Sequence, residues 1–200
     1  LAAGASAQGL KFSGFSGGMM VHTGYAGGGQ ITLTDGANTF HSHISGAPAG
    51  IGGQARLHFG RHLRLGAEGY VSTLRYGRGH GAGRNQSHAR TGWGGVLADV
   101  VWGRGRWSPY VGATIGGGAY RNLTLQNPTP LDNITETNAS YRRYGFMMID
   151  PFAGVEYELT RRVRLNARVD WLFNLTNRRE DFATGPRLYF GFSFYRLKED

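Results

Sequence analysis

The chain has 200 residues, of which 34 are glycine, 25 are aromatic and none is cysteine, and its formal net charge is +9. This composition excludes a disulfide-stapled scaffold and thiolate metal sites, and the many aromatic residues exclude a disordered linker. The charge alone would suit a nucleic-acid-binding protein, but the sequence has no basic helix, RNA-binding motif or zinc-ligand spacing, so no nucleic-acid partner is expected.

The N-terminal residues resemble the end of a secretory signal peptide. Ala5-Ser6-Ala7 is a small-x-small cleavage pattern, and Gln8 follows it as the candidate mature start. We therefore interpret residues 1–9 as a signal-peptide remnant or flexible N-terminus. Residues 10–197 are interpreted as one domain and residues 198–200 as a tail, and the patterns below indicate the nature of both. A flexible, alanine-rich leader is the alternative interpretation of the first segment.

Alternation of apolar and polar residues with period two dominates the remaining chain and predicts β-strands. The first strand is less regular, and Gly14 or Gly17-Gly18 is expected to shift its phase through a bulge. The eight predicted strands are Leu10–His22, Ala49–Phe59, Leu63–Leu74, Gly94–Trp102, Trp107–Ile115, Asp150–Leu159, Val163–Phe173 and Arg187–Phe194.

The predicted connections alternate in length. Tight turns follow the second, fourth and sixth strands, whereas long polar segments occupy roughly 23–47, 77–90, 121–143 and 174–185. Short turns at one end and long loops at the other are typical of outer-membrane barrels, with the turns in the periplasm. The sequence thus predicts an all-β fold, an eight-stranded antiparallel up-and-down transmembrane β-barrel with periplasmic termini and extracellular loops.

The two faces of the strands favour a membrane barrel over a soluble lipocalin-like calyx, which also closes eight strands. One face has few charges and carries aromatic residues near its ends, as at a membrane interface. The other mixes acids with Arg rather than Lys, and in a narrow lumen such charges must pair, because isolated buried charge is costly. The predicted lumenal ion-pair network consists of Arg56, Glu68, Asp99, Glu156, Arg168, Asp170 and Arg187.

With these features the chain resembles the small outer-membrane barrel families of the OmpA, OmpX and opacity types. The resemblance covers nearly the whole chain and lies in strand number, in the alternation of turns and loops, and in Gly and aromatic usage. Gly185–Phe194 is also similar to the C-terminal signal read by the barrel-assembly machinery, although that pattern usually ends at its last aromatic residue and this chain continues to Asp200. The resemblance implies the outer membrane of a Gram-negative bacterium.

No catalytic, cofactor-binding or metal site is predicted. His41-Ser42-His43 supplies two imidazoles, which do not make a metal site. Ser87-His88 lacks the His-then-Ser-Asn order of the lipid A deacylases, a family of similar barrel architecture. Arginines in or beside the long loops are candidates for contacts with lipid or lipopolysaccharide phosphates. These are Arg75, Arg78, Arg84, Arg90, Arg142 and Arg143.

The leading hypothesis is therefore a non-enzymatic integral outer-membrane barrel with a structural or interaction role. Its long loops would contact surface ligands, or its wall and rim would join a larger envelope complex. Outer-membrane lipid, lipopolysaccharide and the barrel-assembly machinery are the expected partners. The alternatives are a narrow pore and a lipid A-modifying enzyme of similar architecture.

Overall fold

The computed structural model describes residues 11–35, 38–76, 87–125, 139–176 and 180–197, with the side chains of 33–35, 38–40 and 42 left aside. Its strands are β1 (Phe12–Gly24), β2 (Ala26–Asp35), β3 (Asn38–Gly46), β4 (Ala49–Phe59), β5 (Leu63–Tyr76), β6 (Ser87–Val101), β7 (Trp107–Leu125), β8 (Ala139–Thr160), β9 (Val163–Trp171), β10 (Phe173–Asn174) and β11 (Pro186–Leu197). No helix in this described part is long and apolar enough to cross a membrane, which says nothing about crossing by strands.

The main sheet closes on itself. Its strands run in the order β1, β4, β5, β6, β7, β8, β9 and β11, every neighbouring pair is antiparallel, and β11 pairs again with β1. The short β10 continues the line of β9 along β8, after an interruption at Leu172. This arrangement confirms the predicted eight-stranded up-and-down barrel.

Side chains alternate strictly between the lumen and the outer wall because successive residues of a strand point to opposite faces of the sheet. Along β5, the inward positions are buried and the outward positions are mostly exposed. Large apolar residues such as Val96, Ile115 and Phe190 are 58–69% exposed on the outer wall, whereas buried carboxylates and guanidinium groups occupy the lumen. The protein is thus apolar outside and polar inside.

The three tight turns lie at one end of the barrel, which we call the turn end; the other is the loop end. Two of these turns contain a glycine with φ +60°, Gly60 in one and Gly105 in the other. This is a left-handed conformation that glycine adopts without the steric cost of a Cβ atom. In β1, the register against β4 shifts between Phe12 and Gly14, where φ is +146°. The expected bulge in the first strand is therefore present, at the first of the two proposed positions.

The predicted loops 77–90 and 121–143 are partly wrong because strands continue into them, and β6 already begins at Ser87. β7 has 19 residues and β8 has 22, and their pairing extends from Trp107↔Tyr157 to Leu125↔Ala139. The predicted loop 121–143 therefore begins and ends within paired strands. Outward positions beyond the membrane-facing stretch carry polar residues. A sequence pattern of this kind predicts a loop, although the hydrogen bonds between the strands continue there.

The first long connection also contains regular structure rather than a plain loop. β2 and β3 form a separate two-stranded sheet in which Gly29↔Ile44 and Thr32↔His41 are register partners. This hairpin lies at the loop end, where Gly27 exchanges backbone hydrogen bonds of 3.0 and 3.1 Å with Thr184. The hairpin is thereby attached to the connection between β10 and β11.

Candidate functional site

The lumen at the turn end contains a buried ionic group, the lower cluster, defined as Arg56, Arg64, Asp99, Glu156 and Tyr195. Arg64 donates hydrogen bonds of 2.5 Å to Asp99 Oδ1 and 2.7 Å to Glu156 Oε1. It also donates to the Tyr195 hydroxyl at 2.9 Å, and that hydroxyl donates to Glu156 Oε2. One guanidinium therefore links two strands' carboxylates across the lumen.

Arg56 adds a second positive charge to the lower cluster. Its Nε lies 2.8 Å from Asp99 Oδ2 and its NH1 lies 3.7 Å from Glu156 Oε1. These are ion-pair distances, although the Arg56 nitrogens make no hydrogen bond within the described residues. The Tyr110 ring centroid lies 5.2 Å from the Arg56 guanidinium carbon and 4.9 Å from that of Arg64, so both cations contact one aromatic ring.

A glycine makes room for that aromatic ring. Gly154 is the register partner of Tyr110 on the neighbouring strand, and a Cβ there would overlap the Tyr110 ring. With that space free, the Tyr110 hydroxyl donates a 2.6 Å hydrogen bond to Asn166 Oδ1 on the far side of β8. Glycine within a strand here marks a close approach between neighbouring groups.

The middle of the lumen contains the upper cluster, defined as Glu68, Asp150, Arg168, Asp170 and Arg187. Arg168 binds Glu68 through two nitrogens at 2.5 and 3.0 Å, and its NH2 lies 3.2 Å from Asp170 Oδ2. Arg187 bridges Asp170 at 2.7 Å and Asp150 at 3.1 Å. Two forked cations thus hold three carboxylates from different strands together.

Ion-paired arginines and buried ion-paired carboxylates are equal in number among the described residues of the lumen. With Arg164, which lies 3.6 Å from Glu156, the described ion pairs join five Arg to five buried carboxylates. Glu158 is an additional partner of Arg164 at 3.3 Å and is 37% exposed at the turn end. Removal of one buried partner would leave its counterpart uncompensated in a place with little water, which is costly.

The lumen also contains an aromatic layer of His22, Tyr70, Trp93 and Tyr189. The His22 ring lies 4.8 Å from Tyr189, 5.5 Å from Trp93 and 6.0 Å from Tyr70. Arg187 of the upper cluster contacts this layer, with its guanidinium carbon 4.3 Å from the Trp93 ring. The layer and the upper cluster therefore pack directly on each other.

The loop end of the lumen is covered by residues 180–185, which we call the mouth segment. Tyr120 donates a 2.7 Å hydrogen bond to the Asp181 carbonyl oxygen, and Tyr144 donates to Asp181 Oδ1 at 3.1 Å. Phe182 packs between Tyr120 and Phe146, with ring centroids 5.3 and 5.1 Å away. A cavity of about 40 Å³ lies between this segment and the aromatic layer, which is room for a few water molecules.

The structure brings all seven predicted network residues into the lumen, divided between the two clusters. Arg56, Asp99 and Glu156 lie in the lower cluster, and the other four lie in the upper one. Sequence reasoning missed Arg64, Asp150 and Tyr195 as members. The available signal was the period-two phase, since Arg64 and Asp150 occupy inward positions of their strands.

The predicted phosphate contacts do not share one surface. Arg75, Arg90 and Arg143 are exposed on outward positions near the loop end, whereas Arg142 is half-buried on the inward phase of β8. Arg78 and Arg84 lie outside the described residues. Arg121, which the prediction omitted, is exposed on β7 directly opposite Arg90 and Arg143.

His41, His43 and Ser87, from the two short motifs of the sequence, all lie on strands. His41 and His43 are exposed on β3, and the described residues hold no group of three or more His, Cys, Asp or Glu side chains placed to bind a metal. The Ser87 hydroxyl is buried and accepts a 2.9 Å hydrogen bond from the Leu125 amide. That hydroxyl serves the β6–β7 pairing.

Comparison with known proteins finds no matching family model and no matching curated protein. Among solved structures, the chain is similar to Ail, the attachment invasion locus protein of Yersinia pestis, in complex with the heparin analogue sucrose octasulfate. That match has 12% identity and a TM-score of 0.50, and covers 92% of this chain and 99% of Ail.

Two further solved structures are similar at lower TM-score. The N-terminal β-barrel domain of Pseudomonas aeruginosa OprF matches with 14% identity and a TM-score of 0.46, over 93% of this chain and all of that domain. Neisserial surface protein A matches with 12% identity and a TM-score of 0.46, over 93% and 97% of the two chains. By its closed antiparallel ring and its likeness to Ail, the chain has the fold of the small eight-stranded outer-membrane β-barrels.

Proposed function

We propose that this protein is an integral β-barrel of a bacterial outer membrane with a structural or interaction role, rather than an enzyme or a pore. The observation that carries the proposal is the closed lumen, which is filled by two Arg–carboxylate clusters, by an aromatic layer packed against the upper cluster, and by the mouth segment at the loop end. The wall around this lumen is apolar, and the groups that could recognise a partner lie at its two ends.

The outer wall supports the membrane location. Large apolar side chains are exposed on every strand of the ring, among them Met19, Leu57, Val96 and Phe190. A continuous apolar surface of this size would drive association in water, whereas a bilayer covers it. Trp102, Trp107 and Phe194 are exposed at the turn end, where their rings suit the interface between lipid and water.

The orientation follows from the two ends. Tight turns lie in the periplasm in barrels of this kind, and longer loops lie outside. We place the turn end, with both ends of the barrel segment, in the periplasm and the β2–β3 hairpin at the cell surface. The β11 segment Gly185–Phe194 supplies the pattern for recognition by the barrel-assembly machinery.

The interaction role is assigned to the loop end. The hairpin and the mouth segment are joined there by the Gly27–Thr184 hydrogen bonds and by a 2.6 Å bond from the Gln30 amide to the Glu180 carbonyl oxygen. Together they form one composite surface above the lumen. The solved Ail structure contains a bound sulfated sugar analogue, and a surface ligand or an envelope partner at the loop end is the corresponding proposal for this chain.

Planar-bilayer recording with the purified full-length chain tests the closed lumen. Silence at neutral pH is the expected result, because the Arg–carboxylate clusters occupy the lumen at two heights. Discrete conductance steps would overturn the proposal in favour of the narrow pore. In parallel, mass spectra of lipid A from cells with and without the protein should be identical; a new acylation or deacylation product would instead establish a lipid-modifying enzyme.

Affinity purification from native membranes tests the interaction role. A tagged full-length chain is expected to retain a partner that is lost when residues 26–46 are replaced by a short Gly-Ser linker. Heat-modifiable migration on a gel shows that the altered barrel still folds. Identical recoveries with and without the hairpin would contradict a role for the loop end.

A further inference from the structure

Three arginines form a row across the outer wall near the loop end. Arg90 on β6 is the register partner of Arg121 on β7, which is the register partner of Arg143 on β8. All three are exposed and lie at outward positions of their strands. We call them the arginine row. On β5, the register partner of Arg90 is Thr73, and Arg75 lies two residues further toward the loop end.

Such a row is electrostatically unfavourable by itself. Side chains directly opposite each other on antiparallel strands lie about 5 Å apart at their Cβ atoms, and like charges there destabilise the sheet. The ion pairs among the described residues include none of the three arginines. No carboxylate among the described residues forms an ion pair with the row, so an external anion is the natural counter-charge.

The height of the row on the wall matches a membrane surface. Arg90 on β6 lies twelve residues before Trp102, an exposed aromatic residue that directly follows the strand at the turn end. Twelve steps of about 3.3 Å along a strand tilted by about 40° span roughly 30 Å. This is about the hydrocarbon thickness of a bilayer, so the arginines lie at the level of lipid headgroups.

Beside the arginine row, toward the middle of the barrel, the outer wall carries small side chains. The next outward positions on the same three strands are Gly92, Ala119 and Gly145. Gly92 is the register partner of Ala119, which is the register partner of Gly145. A groove of about 380 Å³ runs here, lined by Val71, Gly92 and Ala119 together with Arg90 and Arg121. Small residues leave a depression in which an acyl chain can lie while its headgroup meets the guanidinium groups.

We infer that this wall carries a specific site for a lipid whose headgroup bears more than one phosphate. The phosphates would bind the arginine row, because a guanidinium fork matches phosphate oxygens in pairs. The acyl chains would lie on the Gly92–Ala119–Gly145 surface. The inference rests on the proposed membrane placement, and it assigns the site to the leaflet at the loop end.

Native mass spectrometry of the full-length chain in phosphatidylcholine nanodiscs tests the site. Bisphosphoryl lipid A is the probe, with monophosphoryl lipid A and inorganic pyrophosphate as comparison ligands. The test variant is R90Q/R121Q/R143Q, and the matched control is R61Q/R104Q/R161Q, which removes three exposed charges at the turn end. Heat-modifiable migration checks that both variants fold.

The wild type and the control are expected to retain bisphosphoryl lipid A, and the row variant to bind it roughly 10- to 100-fold more weakly. Monophosphoryl lipid A should bind less tightly than the bisphosphoryl form to the wild type. Equal losses in both variants would show nonspecific attraction by charge and overturn the inference. Full displacement by pyrophosphate would overturn the lipid assignment in favour of a free-phosphate site.

The outcome is separable from that of the proposed function. Lipid retention in nanodiscs depends neither on a silent lumen nor on a protein partner. A conducting or enzymatic barrel that still loses lipid in the row variant would refute the proposed function and leave the site intact. A silent barrel whose row variant retains lipid unchanged would refute the site and leave the proposed function intact.

Discussion

At the scale of single residues, the inward-facing arginines are the side chains on which the barrel most depends. Arg168 is completely buried and contacts Glu68, Asp150 and Asp170 at distances of 2.5 to 3.4 Å. Its guanidinium carbon also lies 4.0 Å from the Phe152 ring. The three carboxylates of the upper cluster and the Phe152 ring therefore converge on this one cation.

Substitution of Arg168→Met should lower the free energy of unfolding by roughly 3–5 kcal/mol, because it leaves Arg187 alone with three buried carboxylates. Urea unfolding in phospholipid vesicles, followed by tryptophan fluorescence, measures the loss. The matched control is Arg196→Met, which removes an exposed arginine from β11. Similar midpoints for the two variants would show that the upper cluster contributes little to stability.

A double-mutant cycle isolates the Arg168–Glu68 contact. Glu68→Gln combined with Arg168→Met should destabilise the barrel by less than the sum of the two single substitutions. The reason is that the double variant no longer buries an unpaired Glu68 carboxylate. Additive effects would mean that the pair does not act as a unit.

At the scale of elements, the mouth segment couples the hairpin to the barrel. Phe182 anchors the segment between Tyr120 and Phe146, and the backbone of the segment holds the β2 strand through Gly27 and Gln30. Ala26 and Ile44 of the hairpin belong to the same buried apolar cluster as Tyr120 and Phe146, and Phe182 packs against that cluster. The aromatic anchor should therefore control how often the hairpin detaches.

Phe182→Gly should accelerate amide hydrogen exchange at Gly27 and Gln30, the two β2 amides that donate to the mouth segment. Exchange in strand pairs of the ring, such as β5–β6, should not change, because local opening leaves the global unfolding reaction unaffected. Leu175→Gly is the control, since Leu175 is 49% exposed in the same connection. Unchanged rates at both amides would show that Phe182 does not hold the hairpin.

At the scale of the whole molecule, the inside-out distribution of polarity separates a membrane barrel from a soluble one. Val96 is 69% exposed on β6, midway between Trp102 and Arg90 along the strand. In a bilayer this position would lie near the midplane of the hydrocarbon. In a soluble calyx it would face water.

Val96→Arg should destabilise the barrel in phospholipid vesicles by roughly 2–4 kcal/mol, whereas Trp102→Arg, near the interface, should cost about 1 kcal/mol or less from charge. Reversible unfolding from vesicles gives both values. A soluble barrel would tolerate the arginine at position 96 at least as well as the one at 102. That reversed order is the outcome that would exclude a transmembrane wall.

Much of the architecture was predictable because the residues of a barrel strand face the lumen and the outer wall in turn, so every second residue has the polarity of its side. The inward phase of Glu68, Asp99 and Arg168 identified them as lumenal, and the tight turn at Gly60–His62 identified one end of the barrel. The eight strands and their connectivity follow from this local signal. The alternation carries no information about which strands continue beyond the membrane, so the sequence predicts loops where β7 and β8 extend.

The pairing of charges and the shape of the ends depended on tertiary structure. Closure of the ring brings Arg64 to Glu156, 92 positions away in the chain, and Tyr120 to Asp181. Alignment of three strands also places Arg121 between Arg90 and Arg143, a register that no single strand encodes. The sequence by itself determined which side of the wall each residue faces, since period two is a property of one strand. Which residues meet was decided by the barrel, because register and closure depend on all eight strands at once.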